Sequence, residues 1–177
     1  GFTNGFKIRQ GQEFIGSVLT QSGTFEPNGA TITNSSISSS TAVASLVINT
    51  VAEASAIINT SFASNNRAIR ITAPGTYTFN GLTFDNNTYD IENASTGLVV
   101  INAISGSDPT TFINTAGGTT VINNLVTLTI SGVVDGSEVR VFTHGTTTEL
   151  GGIESTTGGQ YQFTYNYAAN LYVDIVV

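Results

Sequence analysis

The sequence predicts an all-β chain, a short right-handed parallel β-helix followed by a small antiparallel β-sandwich. Three observations carry that expectation. A six-residue pattern, apolar at both ends with a small residue before the close, recurs as ITNSSI at 32–37, IINTSF at 57–62, FNGLTF at 79–84 and VVINAI at 99–104. The copies step by 25, 22 and 20 residues, a period that marks a stacked repeat architecture. After residue 118 the rhythm changes to clean two-residue alternation in longer runs.

The opening segment, residues 1–23, places glycines among Phe2, Phe6, Ile8, Phe14 and Ile15. Its glycines weaken a helix at 11–19, and a solenoid needs its end coil covered, so this segment is assigned as a cap, a first irregular coil or an oligomer contact, with an ordinary strand pair the other open reading.

Residues 24–118 hold the coils. Short runs rich in Thr, Ile, Val and Phe, broken by Asn, Ser and Gly, are strand-and-turn composition. One strand-turn-strand coil cannot bury its apolar side alone, so coils stack. Ile32, Ile57, Phe79 and Val99 then form one interior column, and Ile37, Phe62, Phe84 and Ile104 a second. A second strand per coil follows at 44–49, 68–72, 89–93 and 111–114. The rule for parallel crossovers sets the expected hand. Asn34, Asn59, Asn80 and Asn102 recur near the turns and suggest an imperfect amide ladder, their offsets differing by a residue. Pro74 and Gly75 mark the clearest corner.

Residues 119–177 read as the sandwich. Val126, Leu128 and Ile130 alternate with Thr127 and Thr129, and Tyr161, Phe163, Tyr165 and Tyr167 alternate with Gln162, Thr164 and Asn166. Further strands fall at 137–142 and 171–177 with turn-like connectors between. The chain stops at Val177 inside its last strand, so the sandwich is expected to be incomplete. The absence of a start Met or leader at Gly1 suggests a processed product or an excerpt.

Composition bounds function. Only 10% of residues are charged, 40% are hydrophobic, and the net charge is −7. Lys7, Arg9, Arg67, Arg70 and Arg140 are scattered, so no cationic cluster is present to neutralise phosphates, and neither nucleic acid nor an anionic membrane surface is an expected partner. No run approaches the ~18 apolar residues of a membrane span. With no Cys there is no disulfide framework or thiolate metal site.

Candidate sites are few. His144, the single histidine, stands five residues before Glu149 in a turn-like segment, where a base and a loop residue are both open readings. Carboxylates clustered on successive coils would mark a polysaccharide-cleaving enzyme or a Ca²⁺ site. Of Glu26, Glu53, Asp85, Asp90, Glu92 and Asp108, only Asp85, Asp90 and Glu92 are close in sequence, and alternation puts Asp90 and Glu92 outward of Ile91, as on a solvated face. Thr76 and Thr78, like Thr127 and Thr129, have the spacing of an ice- or sugar-binding row but do not recur between coils. Asn34, Asn59, Asn86 and Asn93 begin N-x-S/T sequences, which chance also supplies in so Asn/Thr-rich a chain. Tyr77, Tyr89, Tyr161 and Tyr172 are the candidate platforms for stacking on a sugar. No catalytic residue, cofactor or metal ligand is assigned.

The order of segments VTLTISG, EVRVF, TELGG, STTGGQYQF and YVDIV resembles the transthyretin-like or carboxypeptidase-regulatory type of β-sandwich, which implies an appended module. The whole chain, an Asn/Ser/Thr/Gly-rich β-helix feeding such a module, resembles fibre and surface proteins of marine bacteriophages and bacteria. That resemblance implies an extracellular or virion-surface location and a homo-oligomeric, non-enzymatic structural role. A carbohydrate-binding adhesin recognising a host-surface glycan is the alternative, and a polysaccharide depolymerase using Asp85, Asp90 and Glu92 the third reading.

Overall fold

The computed structural model describes residues 5–8, 10–20, 23–40, 42–166 and 171–177. The readings at Phe2, Arg9 and Tyr167, and the side chain of Phe6, lie outside the described residues. Contacts divide the chain into two units, Gly1–Asn123 and Asn124–Val177.

The first unit is a β-solenoid of about five turns. Its first turn lays down β1 (Phe6–Lys7), β2 (Glu13–Ile15) and β3 (Val18–Thr20), and its second β4 (Phe25–Glu26), β5 (Thr31–Thr33) and β6 (Ser36–Ser38). The third holds β7 (Leu46–Ile48), the short helix α1 (Val51–Ser55), β8 (Ile57–Ile58) and β9 (Ser61–Ala63). The fourth holds β10 (Arg67–Ile71), β11 (Gly75–Asn80) and β12 (Thr83–Asp85). The fifth retains β13 (Tyr89–Asn93) and β14 (Leu98–Ile104), and β15 (Phe112–Asn114) and the start of β16 (Thr119–Ser131) complete the stack.

Three faces result. The first runs β1-β4-β7-β10-β13-β15, the second β2-β5-β8-β11-β14-β16, and the third β3-β6-β9-β12. Pairing is parallel from β1 to β15 on the first face, from β2 to β14 on the second and throughout the third. Strands β2 and β3, in the segment read as a cap, a first coil or a strand pair, form a coil in the same register as those that follow: Phe14 stands beside Ile32 and Leu19 beside Ile37. A two- or three-residue strand has too little periodicity to be read alone, and its neighbour's register reveals it.

The interior columns differ from expectation in the fifth coil. Ile32 stands beside Ile57, and Asn80 beside Ile58, which puts Phe79 next to Ile57. Phe79 then faces Ala103, while Val99 lies beside Gly75. Val99 is still buried, but in a different column, because the seven-residue β14 points Val99, Ile101 and Ala103 inward in turn. The step from Phe79 is therefore 24 residues, to Ala103, instead of 20. Ile104 falls in the outward register beside Asn80 and does not join the second column, which is Leu19, Ile37, Phe62 and Phe84. The Phe62 and Phe84 rings stack with centroids 5.4 Å apart and planes inclined by 13°. Each fully buried Ile or Phe here contributes on the order of 1.5–3 kcal/mol.

The third turn differs by carrying α1. Thr50 accepts the Glu53 N–H, and the buried Glu53 carboxylate reaches back to the Asn49 N–H at 2.6 Å, a reciprocal cap that fixes the helix start.

The second unit contains two small antiparallel sheets. Residues 125–131 of β16 pair with β19 (Gln160–Asn166). The other sheet has the order β18-β17-β20, formed by β17 (Val139–Thr143), β18 (Glu149–Ile153) and β20 (Val173–Val176). Val133, Val139, Val141 and Phe163 are the buried apolar residues among those described in this unit. A Cβ at Gly151 would sit 3.0 Å from the Phe163 ring, so glycine there lets β18 and β19 pack sandwich-like.

Candidate functional site

The corner between the second and third faces is the most distinctive concave feature of the first unit. The chain must bend from one face to the next there within two residues, which a left-handed backbone achieves. Gly16, Asn34, Asn59, Gly81 and Ser105 occupy this position in successive coils, with φ between 49° and 66°. Their N–H groups continue the parallel bonding: Gly16 to Thr33 O, Asn34 to Ile58 O, Asn59 to Asn80 O and Gly81 to Ile104 O, at 3.0–3.2 Å. Behind them Ser35 and Thr60 are buried and return their hydroxyls to Thr33 O and Ile58 O, at 2.8 and 3.1 Å. The result is a trough of about 410 Å³ running along the stack. Asn34 and Asn59 amides, Ser36, Ser61 and Thr83 hydroxyls and Val18 line it, and none of its lining side chains is charged. Such a surface offers paired donors and acceptors to a neutral polyol or to another uncharged chain, without the charge needed to hold an anion.

The four candidate tyrosines are not gathered. Tyr77 is fully buried in β11 and donates its phenol O–H to Ala73 O at 2.6 Å, so it cannot stack on a ligand. Burial pushes its phenol above the ordinary range, and the Glu53 charge adds to that. Tyr77 lies two residues before Phe79 on the same side of β11, so the alternation that points Phe79 inward points Tyr77 inward with it and removes it as a platform. Tyr89 is half-buried in the first unit beside Arg67. In the second unit Tyr161 is half-buried near Gly151, and Tyr172 is 70% exposed. Only Tyr172 among the four presents most of its ring to solvent.

The acidic candidates serve the stack. Asp90 and Glu92 were expected on a solvated outer face, yet they are 5% and 1% exposed. Alternation placed them correctly outward of Ile91, but neighbouring side chains and the returning loop cover them. Asp90 accepts the Thr110 and Thr111 N–H groups at 2.9 and 3.0 Å and the Asn87 amide at 3.1 Å. Glu92 pairs with Arg67 at 2.9 Å and accepts the Thr115 hydroxyl at 2.7 Å, while Arg70 stands 3.8 Å away. Asp85 remains exposed, and Asp108 accepts the Phe84 N–H at 2.8 Å. Lys7 pairs with Glu26.

His144 does not meet Glu149. Its Nδ1 lies 2.7 Å from Asp174, which also accepts the Gly145 N–H at 2.8 Å, whereas Glu149 pairs with Arg140 at 2.9 Å. The His144 hydrogen bond, with the Gly145 N–H second, holds the Asp174 carboxyl below its usual range. The hydrogen bonds Arg140 donates to the Glu138 and Glu149 carboxylates raise its pKa. Among the described residues no group of three or more His, Cys, Asp or Glu is placed to hold a metal ion, and no helix is long and apolar enough to cross a membrane.

The amide ladder exists at another corner from the one anticipated. Asn34 and Asn59 share the trough, but Asn80 and Asn102 lie on β-strands of the second face. Asn102 Oδ1 accepts the Asn123 amide at 2.9 Å on that face, and at another corner Asn65 Nδ2 donates to Asn87 Oδ1 at 3.0 Å and to Ile37 O at 3.1 Å while its Oδ1 accepts the Ser40 N–H. The 22-residue separation of Asn65 and Asn87 was the available signal. Of the N-x-S/T positions, Asn86 is exposed, while Asn93 is wholly buried with its amide bonded to Thr119 O, which withholds it from modification in the folded chain.

Comparison with family models, with curated proteins and with solved structures gave no match.

Proposed function

We propose that the chain is a non-enzymatic structural component of an extracellular assembly, in finer form a virion fibre, appendage or surface protein that self-associates. In this reading the solenoid is a stiff spacer and the sandwich-like unit an interaction module. The observation that supports it is how the solenoid uses its carboxylates. Asp90 and Asp108 hold backbone amides, Glu53 caps a helix, and Glu92 balances two arginines, so these groups maintain stacking and register. Four outward positions of the third face, Ser36, Ser38, Ser61 and Ala63, are small and uncharged, a chemistry suited to close lateral packing, and the charged Asp85 stands at the β12 end. Sedimentation velocity and electron microscopy of the native chain test the proposal. The expected result is a homo-oligomer or regular array; a monomer at every concentration, with no ordered particle, overturns it.

A carbohydrate-binding role is the second reading, favoured by the neutral trough and by the exposed Tyr172 ring. Titration with neutral oligosaccharides, followed by NMR, should shift the Ser61 and Thr83 amides or the Tyr172 ring resonances. Saturating sugar that moves neither set eliminates this role.

A further inference from the structure

The third face stops two strands short of the other two. It ends at β12, whereas the first face continues to β15 and the second to β16. An edge strand normally leaves a row of backbone groups open to pairing with another chain. At the entry to β12 part of that row, from Leu82 to the Phe84 N–H, is occupied. After β14 the chain passes through Ser105 and Gly106, both with left-handed backbone, and returns across the place a fifth third-face strand would take. Ser107 Oγ accepts the Leu82 N–H at 2.8 Å, and Asp108 Oδ1 accepts the Phe84 N–H at 2.8 Å. The Asp108 N–H in turn donates to Leu82 O at 3.2 Å. Two side-chain oxygens and one amide thus stand where the carbonyls and amide of a further strand would be.

The hook is itself anchored. Ser107 N–H donates to Ile104 O at 3.0 Å, and beyond the buried Pro109 the buried Asp90 carboxylate grips the Thr110 and Thr111 N–H groups. Both ends of the segment are therefore tied to the stack, and the two accepting side chains are held in place between them. A carboxylate accepting from an amide is stronger than a carbonyl doing so, which suits a group that must outcompete an incoming strand.

We infer that Ser107 and Asp108 form a strand surrogate that closes the β12 edge against antiparallel pairing with the same edge of a second copy. The occupant excluded is a second copy because edge pairing is written in backbone groups and a two-fold arrangement closes on itself. The inference goes beyond the assembly reading and does not require it, since it concerns an edge the native chain withholds. Native mass tests that reading; differences between variants test this one.

The experiment uses the full chain as wild type, Asp108→Ala, Asp108→Asn, Ser107→Ala and the Ser107→Ala/Asp108→Ala double variant. Amide hydrogen exchange at Leu82 and Phe84 is measured beside sedimentation velocity. Exchange at Phe84 should rise by about tenfold or more in Asp108→Ala, and at both amides in the double variant. The double variant should also form a species of twice the wild-type mass, increasing with concentration. Asp108→Asn retains an accepting oxygen without the charge and should fall between wild type and Asp108→Ala in Phe84 exchange, with no heavier species. In the double variant, faster exchange without the heavier species or unchanged exchange overturns the inference, as does an Asn variant behaving as the Ala variant. Should the double variant lose protection throughout the solenoid, Ser107→Ala alone decides: Leu82 must exchange faster with the rest of the stack intact, and an unchanged Leu82 refutes the surrogate.

Discussion

At the scale of single residues, the same side-chain chemistry has opposite consequences on the two sides of a strand. Phe62 is fully buried between Ile37 and Phe84, whereas Ile104 occupies an outward register. Phe62→Ala should therefore cost about 3–5 kcal/mol in urea unfolding, through lost burial and an unfilled cavity. Ile104→Ala should cost less than about 1 kcal/mol. Comparable losses at the two positions would mean that the inward and outward columns are wrongly assigned.

Asp174 gives a pH-dependent counterpart. Its folded-state pKa lies below the unfolded one, so its hydrogen bonds stabilise the chain above the unfolded carboxylate value of about 4, and this contribution fades as pH falls through the folded value. His144 is the larger cause of that shift. His144→Ala should move the Asp174 titration midpoint upward in an NMR titration, toward the ordinary carboxylate range. An unmoved midpoint would assign the shift to the Gly145 N–H alone.

At the scale of elements, corners decide more than strands. The strands of the third face are three residues long and could not hold together as separate hairpins. They are ordered because each corner presents the next strand at a fixed angle. Asn59 shows how: its φ of 49° lies in a region that costs most L-residues roughly 1–2 kcal/mol, a penalty Asn tolerates and Gly escapes. Asn59→Val should destabilise the fold by at least about that amount, while Asn59→Gly should stay within about 1 kcal/mol of wild type. Chemical denaturation of the pair checks the ordering, and equal losses would argue that the Asn side chain itself is required. Gly81, one coil on, is less free, since its added Cβ would come within 2.2 Å of Asn59 Oδ1.

At the scale of the whole molecule, nearest-neighbour stacking governs how damage spreads. Each coil of the first unit touches only the coils beside it along a face, so stability is close to a sum of coil and interface terms. Phe62→Ala should consequently accelerate amide exchange at Ile37 and Phe84, in adjacent coils, far more than at Val139 and Val141 in the second unit. Uniform acceleration across both units would show a single cooperative block instead.

What the sequence determined by itself was the existence of a stack and the identity of most of its core. Ile32, Ile37, Ile57, Phe62, Phe79 and Phe84 take their columns because a local apolar period needs no partner to be visible, and the alternation of Tyr161, Phe163 and Tyr165 needs none either. The tertiary structure decided which inward residue of the longer β14 aligns with Phe79, because register is settled by the neighbouring strand and the entering loop. It also decided that Asp90 and Glu92 are covered and that Asn65 and Asn87 meet. In each case the decisive contact joins residues one coil or more apart, which a single strand's sequence does not specify.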